Sequence, residues 1–467
     1  MSQELLSELR AIVGDKNVIA EPDRLQNYSH DEFPLPTLRV MPRVAVRPRS
    51  AVEVSSILKL ANREKIPVTP RGGGTGLCGG CVPAQGGIVL LSDGLDRVIE
   101  VDTENIMVVA QAGVMLKDLY AQVAKEGLFF PPHPGDETAM VGGVIATNAG
   151  GARALKHGTI RNFVRGLEIV LPQGGIINVG GKFIKNSTGF SLLHLFIGSE
   201  GTLGVITKAV ISLLPAPQEM ATLVVPFDTI KEAIAAVPAI IRKNISPLAI
   251  EFIEADAIEA TERYLKREWP MRGAGAYLMI IIDGADKDGV ERLAHTIEEV
   301  CLAGGANDVF IAENRARQKE ILEFRSQMYE AIKPNCVETL DIVVPRSEIA
   351  AHVKAVHAIE KEYGIWLTTY GHAGDGNVHT HIMKNVFKDG RADLSIKPDW
   401  QEVYPVVRTL IHEDARARGG MVSGEHGIGI VKREYLRDFL DQEQIELMRS
   451  IKRSLDPENI LNPGKVL

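Results

Sequence analysis

The run Gly371-His372-Ala373-Gly374-Asp375-Gly376-Asn377-Val378-His379, followed downstream by Gly424-Glu425-His426-Gly427, sets imidazoles and a carboxylate among glycines. These are the ligands a divalent metal uses when its site keeps positions open for a substrate. A further imidazole, His426, stands next to Glu425 and could serve as a base. Glycines around such groups let the backbone turn sharply and let a small molecule come close. A second glycine concentration lies far upstream, at Arg71-Gly72-Gly73-Gly74-Thr75-Gly76-Leu77-Cys78-Gly79-Gly80. Its string of backbone N–H groups could nest a pyrophosphate. A metal-type constellation and a nucleotide-type loop in one chain point to a cofactor enzyme.

The chain has 467 residues, which gives room for two or three domains. Its hydrophobic share of 45% and charged share of 24% are ordinary for a globular protein. A net charge of −8 argues against nucleic acid as a main partner, which calls for a basic face. No apolar run reaches the roughly 18–20 residues of a membrane span. The stretch 1–16 carries acids in place of an apolar signal core. Cys78, Cys81, Cys301 and Cys336 are too few for a disulfide framework at this length. The expectation is a cytoplasmic protein, with peripheral contact at the inner face of a membrane left open.

The elements that must position these motifs fall into two styles. Up to about residue 215, short strand-like runs (43–47, 66–70, 88–91, 107–110, 167–171, 176–179) alternate with turns and with helical spacing over 51–63 and 116–125. Leu213-Leu214-Pro215-Ala216-Pro217 looks like a boundary. Beyond it, strand candidates at 222–227, 248–253 and 277–283 alternate with helix candidates at 230–242, 289–302, 316–331 and 348–363. That pattern suits an α+β domain with helices on one face of a sheet.

Gly74-Thr75-Gly76-Leu77-Cys78-Gly79 fits the GxGxxG spacing, but the dinucleotide fingerprint needs a helix directly after the turn. Here Gly79, Gly80 and Pro83 lead into another strand, so the loop reads as a pyrophosphate cradle of non-Rossmann type. Pro131 to Asp136 reads as a rigid turn, Val141 to Gly151 as a small-residue loop and Gly198 to Gly204 as a third loop. A large planar ligand could lie against such backbone.

Arg71 to Gly80, Pro134-Gly135-Asp136, Asn148-Ala149-Gly150-Gly151, Lys185-Asn186-Ser187-Thr188-Gly189 and Gly198-Ser199-Glu200-Gly201-Thr202 resemble the flavin domain of the PCMH-type (vanillyl-alcohol oxidase) family. With the two histidine motifs and Asn462-Pro463-Gly464-Lys465, the chain is similar over nearly its whole length to the D-2-hydroxyacid dehydrogenase branch. That branch includes D-lactate dehydrogenases, the glycolate oxidase catalytic subunit and D-2-hydroxyglutarate dehydrogenase. The resemblance implies an α+β protein: a two-subdomain FAD-binding domain over 1–215, an α+β cap with an antiparallel sheet over 216–430, and a segment 431–467 returning to the FAD domain. The cofactor-binding positions it implies are Arg71, Gly72, Gly73, Gly74, Thr75, Gly76, Gly79, Pro134, Gly135, Asp136, Gly142, Gly143, Asn148, Gly150, Gly151, Glu200, Gly201, Ile206 and Asn462. FAD is expected to be non-covalent, since the glycine loop holds no histidine; Cys78 and Cys81 read as small residues lining a tight turn.

The resemblance further implies a divalent metal on His372, His379 and Glu425, with zinc expected and iron or manganese also suited to imidazole plus carboxylate. It implies His426 as the general base and Arg325 as the clamp on the substrate carboxylate, a task that fits a planar fork donor. His381, one strand period beyond His379, either touches substrate or completes the shell. Relatives acting on 2-hydroxyglutarate carry further polar residues for its second carboxylate. Here Tyr329 and Thr339 stand in their place with no evident cation, although Lys333 is near. This favours a monocarboxylate such as D-lactate, oxidised to pyruvate, with glycolate and D-2-hydroxyglutarate as the alternatives. A flavin-dependent ether-lipid synthase-like transferase is the reading of another class. No haem motif, iron–sulfur motif or nicotinamide fingerprint occurs, so an external acceptor is expected: an electron-transferring flavoprotein, a quinone or an iron–sulfur subunit. Homodimer and hetero-complex both remain open.

Overall fold

The computed structural model describes residues 2–312 and 314–467. The chain folds into two compact units: residues 1–150, 159–216 and 425–467 form the first, and 151–158 with 217–424 form the second.

The first unit is built on two larger sheets. The smaller contains β1 (Val18–Ile19), β2 (Val44–Val46), β3 (Val68–Arg71) and β4 (Ile88–Leu91) in the order β1-β2-β4-β3. Strands β2, β4 and β3 run parallel, and helix α1 (Ala51–Arg63) makes the crossover from β2 to β3. Ser50 caps α1 by accepting the Glu53 N–H. Val54, Ile57, Leu58 and Ala61 repeat at helical spacing and are fully buried against Val44, Val46, Ile88 and Leu90. The larger sheet is antiparallel, with β5 (Val98–Asp102), β6 (Met107–Gln111), β7 (Val164–Val170), β8 (Ile176–Gly180) and β9 (Val205–Ser212) in the order β5-β6-β9-β7-β8. Its inner face packs under helix α2 (Val141–Thr147).

That helix corrects the expectation of a loop over Val141 to Gly151. Glycine is a poor helix former in isolation, yet here it is what lets the helix fit. A Cβ on Gly142 would stand 2.7 Å from the Ala112 Cβ. Asn148, in the left-handed conformation, ends the helix.

The second unit is built on one large antiparallel sheet. Its path strands are β10 (Glu219–Phe227), β11 (Ala249–Glu254), β12 (Ala276–Gly284), β13 (Phe310–Ala312), β14 (Cys336–Val343), β15 (Ile365–His372) and β16 (Asn377–Lys388). The order is β13-β10-β12-β11-β15-β16-β14. Strands β11 and β15 are buried at every position, which an alternating one-sided strand would not be.

Helices accordingly cover both faces, and the one-face arrangement read from the sequence is corrected. On the face of Ile253 and Tyr370, helix 255–265 and α3 (Arg315–Ser326) contribute Ile258, Ile321 and Phe324 to a common core. On the opposite face, α4 (Ile349–Tyr363) sends His357 Nε2 to Glu254 Oε1 at 2.8 Å and Nδ1 to Glu360 Oε2 at 3.1 Å. Back on the face of Ile253 and Tyr370, Trp366 Nε1 donates to Asp256 Oδ2 at 2.7 Å, and burial, with Glu254 and Glu360 close by, pushes the Asp256 carboxyl up to about 7.

The expected divisions at 215/216 and 430/431 compare with 216/217 and 424/425 in the structure. The second division comes earlier because Ile428 and Gly429 already donate their N–H groups to Glu200, at 2.7 and 2.8 Å, within the first unit. Residues 151–158 join the second unit, where Lys156 Nζ pairs with Asp283 at 2.5 Å. Among the described residues, no helix is long and apolar enough to cross a membrane.

Candidate active site

In the first unit the glycine loop leaves β3 at Arg71 and reaches β4 with no helix between them, as the sequence predicts. The Arg71 guanidinium donates to the carbonyl of His30 at 2.6 Å and lies over the Tyr28 ring, so it serves as a strut behind the loop. Gly74 and Gly79 have φ values of +77° and +73°, which only glycine adopts cheaply. Asp31 fastens the far end, accepting the Gly79 N–H at 2.7 Å; burial pushes its carboxyl up to about 6. Between these anchors, the N–H groups of Gly72, Gly73, Gly74, Thr75 and Gly76 donate to no other backbone group among the described residues. A row of undonated N–H groups is what an anionic diphosphate needs.

The neighbouring pieces leave space beside this row. A Cβ on Gly72 would meet Met140 at 3.6 Å, and one on Gly143 would meet nothing within 4 Å. Asp136 holds its turn by accepting the Thr138 N–H and hydroxyl at 2.7 and 2.6 Å, with Pro134 and Gly135 leading in. Glu200, at φ +50°, donates its N–H to the Ala146 carbonyl at 2.8 Å, and burial raises its carboxyl. Gly201 (φ +68°) turns the chain beside Pro70, and Ile206 is buried in β9. Asn462 clasps the assembly, its amide donating to the carbonyls of Gly80 at 3.0 Å and Glu200 at 2.8 Å. The residues present fit FAD. Gly150 stands in the first unit as well, whereas Gly151 belongs to the second. A Cβ on Gly150 would be 3.0 Å from Glu425 Oε2, and His426 Nε2 lies 3.9 Å from Glu425 Oε1.

In the second unit the register of the sheet does the assembling. Directly paired residues share a face. His372 pairs with Glu251 on one side and Asn377 on the other; Tyr370 pairs with Ile253 and His379; His379 pairs with Asp341. Thr368 and Thr339 flank His381 one row along. One face of β11, β15, β16 and β14 therefore gathers Glu251, Tyr370, His372, His379, His381 and Asp341.

The two predicted histidine ligands converge, His372 Nε2 standing 3.4 Å from His379 Nε2. Two Zn–N bonds of about 2.0–2.1 Å at a tetrahedral angle put their nitrogens about 3.3–3.4 Å apart. A carboxylate stands behind each ring: Glu251 Oε1 is 2.5 Å from His372 Nδ1, and Asp341 Oδ1 is 3.7 Å from His379 Nδ1. The donor set suits a divalent cation. Asp341 also accepts from Asn377 Nδ2 at 2.8 Å, Ser423 Oγ at 2.7 Å and the Gly424 N–H at 3.0 Å. Gly424 is the residue immediately before Glu425 in the chain.

Arg325, from α3, donates to Glu251 Oε2 at 2.7 Å and lies over the Tyr370 ring at 4.6 Å. It is not the solvated helix arginine that its neighbours Arg315 and Arg317 suggest. Burial opposes the Glu251 charge, but His372 and Arg325 outweigh it and hold the carboxyl below its usual range. His381 Nδ1 meets Thr339 Oγ1 at 3.0 Å, and its ring lies tilted against those of Tyr370 at 4.5 Å and Tyr329 at 5.9 Å. Lys333 lies over Tyr329 and 3.4 Å from Glu330.

Sequence reading missed Glu251, Asp341 and Tyr370. The available signal was an acid inside an apolar strand run, as in Ala249-Ile250-Glu251-Phe252-Ile253 and Leu340-Asp341-Ile342-Val343. A buried charge there must have partners.

A glycine cradle fit for FAD and a histidine–carboxylate sheet face together define an FAD-linked oxidoreductase. Residues 42–180 match the FAD binding domain family, and 216–466 match the family described as FAD linked oxidases, C-terminal domain. The chain belongs to this FAD-linked oxidase family, and its PCMH-type, α+β class is as the sequence predicts. It is 46% identical to D-lactate dehydrogenase of Archaeoglobus fulgidus, covering 94% of this chain and 95% of that protein. It is 37% identical to D-lactate dehydrogenase of Anaerostipes hadrus over 100% of this chain and 98% of that one. Glycolate oxidase subunit GlcD of Bacillus subtilis is 39% identical, over 94% and 91%. The fold is shared with p-cresol methylhydroxylase, at TM-score 0.80, 17% identity and coverage of 100% and 97%. It is also shared with alkyldihydroxyacetonephosphate synthase, at 0.77, 20%, 99% and 86%.

Proposed function

We propose that the protein oxidises a D-2-hydroxy acid, with D-lactate to pyruvate as the reaction, using non-covalent FAD and a divalent metal. The observation that carries this is the convergence of His372 and His379 at 3.4 Å on a sheet face that also holds Arg325. His372, His379 and Glu425 would hold the metal, and the spacing of the two nitrogens is one that zinc accepts. Its attachment one residue beyond the Asp341-bound Gly424 supports Glu425 as the third ligand. When bound, the metal would supply polarisation of the substrate hydroxyl, and FAD would supply the hydride acceptor.

The chain's own residues do the rest. Arg325 orients the carboxylate through its planar fork. His426 takes the hydroxyl proton, a task suited to an imidazole. The wall of Tyr370, His381 and Tyr329 favours a small side group over a second carboxylate. Lys333 is the nearby cation, and it is already placed on Tyr329 beside Glu330. The names of the relatives at 46% and 37% identity support D-lactate. The electrons then pass to an external acceptor: an electron-transferring flavoprotein, a quinone or an iron–sulfur subunit.

The test is anaerobic bleaching of the flavin by D-lactate, L-lactate, glycolate and D-2-hydroxyglutarate, before and after chelation. Bleaching by D-lactate that chelation abolishes and zinc restores is expected. Bleaching by D-2-hydroxyglutarate alone would overturn the substrate, and bleaching unaffected by metal removal would overturn the metal.

A further inference from the structure

Glu251 is an acid in the apolar strand β11, with its side chain 1% exposed. A carboxylate that deep persists only when its oxygens are satisfied. Each oxygen has a different partner. Oε1 meets His372 Nδ1 at 2.5 Å, and Oε2 accepts from Arg325 Nη2 at 2.7 Å. Tyr370 closes the arrangement, since it shares a strand face with His372 and carries the Arg325 guanidinium over its ring at 4.6 Å.

We propose that Glu251 is a positioning residue that couples the metal site to the substrate-carboxylate clamp, fixing the ring of His372 and the fork of Arg325 with one carboxylate. The inference rests on the reading of His372 as a metal ligand and Arg325 as the clamp. Physically, a carboxylate at Nδ1 keeps the ring proton there and leaves the Nε2 lone pair facing outward for a cation. The same carboxylate holds Nη2, so the guanidinium plane cannot swing without disturbing the imidazole. Glutamine cannot replace it. An amide offers one acceptor and one donor, while both partners here are donors.

The test uses the full-length, FAD-loaded protein, stripped with a chelator and titrated with Zn²⁺ without substrate, then assayed for D-lactate oxidation. Glu251→Gln is expected to weaken Zn²⁺ binding and to raise KM for D-lactate, each by about 10–100-fold. Arg325→Ala touches no metal ligand, yet it is expected to weaken Zn²⁺ binding by about 10-fold, because Glu251 loses the partner that aims it. Arg325→Lys keeps a donor for Oε2; it is expected to raise KM and leave Zn²⁺ affinity within about twofold of wild type. Unchanged Zn²⁺ affinity in Arg325→Ala overturns the coupling even if Glu251→Gln fails to fold. So does a Glu251→Gln that alters KM or Zn²⁺ affinity alone. A wild-type protein that binds no Zn²⁺ would instead overturn the metal reading on which the coupling rests.

Discussion

The two chemical regions of this molecule are made by opposite means. The loop from Arg71 to Gly80 works with backbone: N–H groups at 72–76 that donate to no other backbone group among the described residues, two glycines at positive φ and anchors at Arg71 and Asp31. The sheet face of the second unit works with side chains, lined up from four strands by register and held by buried carboxylates. A backbone site recognises charge and shape and tolerates exchange of whatever surrounds it. A side-chain site on a sheet is rigid, and each member depends on its cross-strand neighbours. Flavin content and metal content therefore report on the two regions separately.

The largest effect should come from His426→Ala. Loss of a general base costs about 10²–10⁴-fold in the rate of flavin reduction by D-lactate, with bound flavin and Zn²⁺ affinity retained. A variant that lost its flavin absorbance instead would move His426 from the chemistry to the cradle.

Next is Gly74→Val, aimed at the other region. A Cβ there would lie 2.2 Å from Arg71 Nη2, at a φ of +77°. Strain of about 1–3 kcal/mol should appear as protein purified with little FAD, while Zn²⁺ binding on the sheet face persists. Full flavin occupancy would remove the loop from the cofactor site.

Asn462→Ala loses amide bonds to the Gly80 and Glu200 carbonyls and should cost about 1–3 kcal/mol, read as a lower melting temperature that added FAD partly restores.

The remaining effect is pH-dependent and belongs to helix 255–265 beside the sheet. The Asp256 carboxyl, raised from 3.8 to about 7, stabilises the fold in its protonated form, and that contribution is lost as pH rises through about 7. Asp256→Asn cannot ionise, and its carbonyl can still accept the Trp366 N–H. Its melting temperature relative to wild type should therefore climb between about pH 4 and pH 8. A difference that stays flat across that range would place the Asp256 pKa at its ordinary value.

The sequence alone determined the family, the α+β class, the glycine loop, both histidine motifs and most elements. These are written locally: a strand's apolar run, a cap such as Ser50 before α1, and the glycines a backbone cradle requires. Helix α2 was hidden because its glycines argue against a helix in isolation, and only the closeness of Ala112 shows why they are there. Tertiary structure alone decided the partners of the histidines. Glu251 and Asp341 lie far along the chain from His372 and His379; the apolar runs around them mark them as buried, and nothing local says which groups they meet. They reach the site because antiparallel register places them opposite, and a slip of one residue would turn every one of them to the other face.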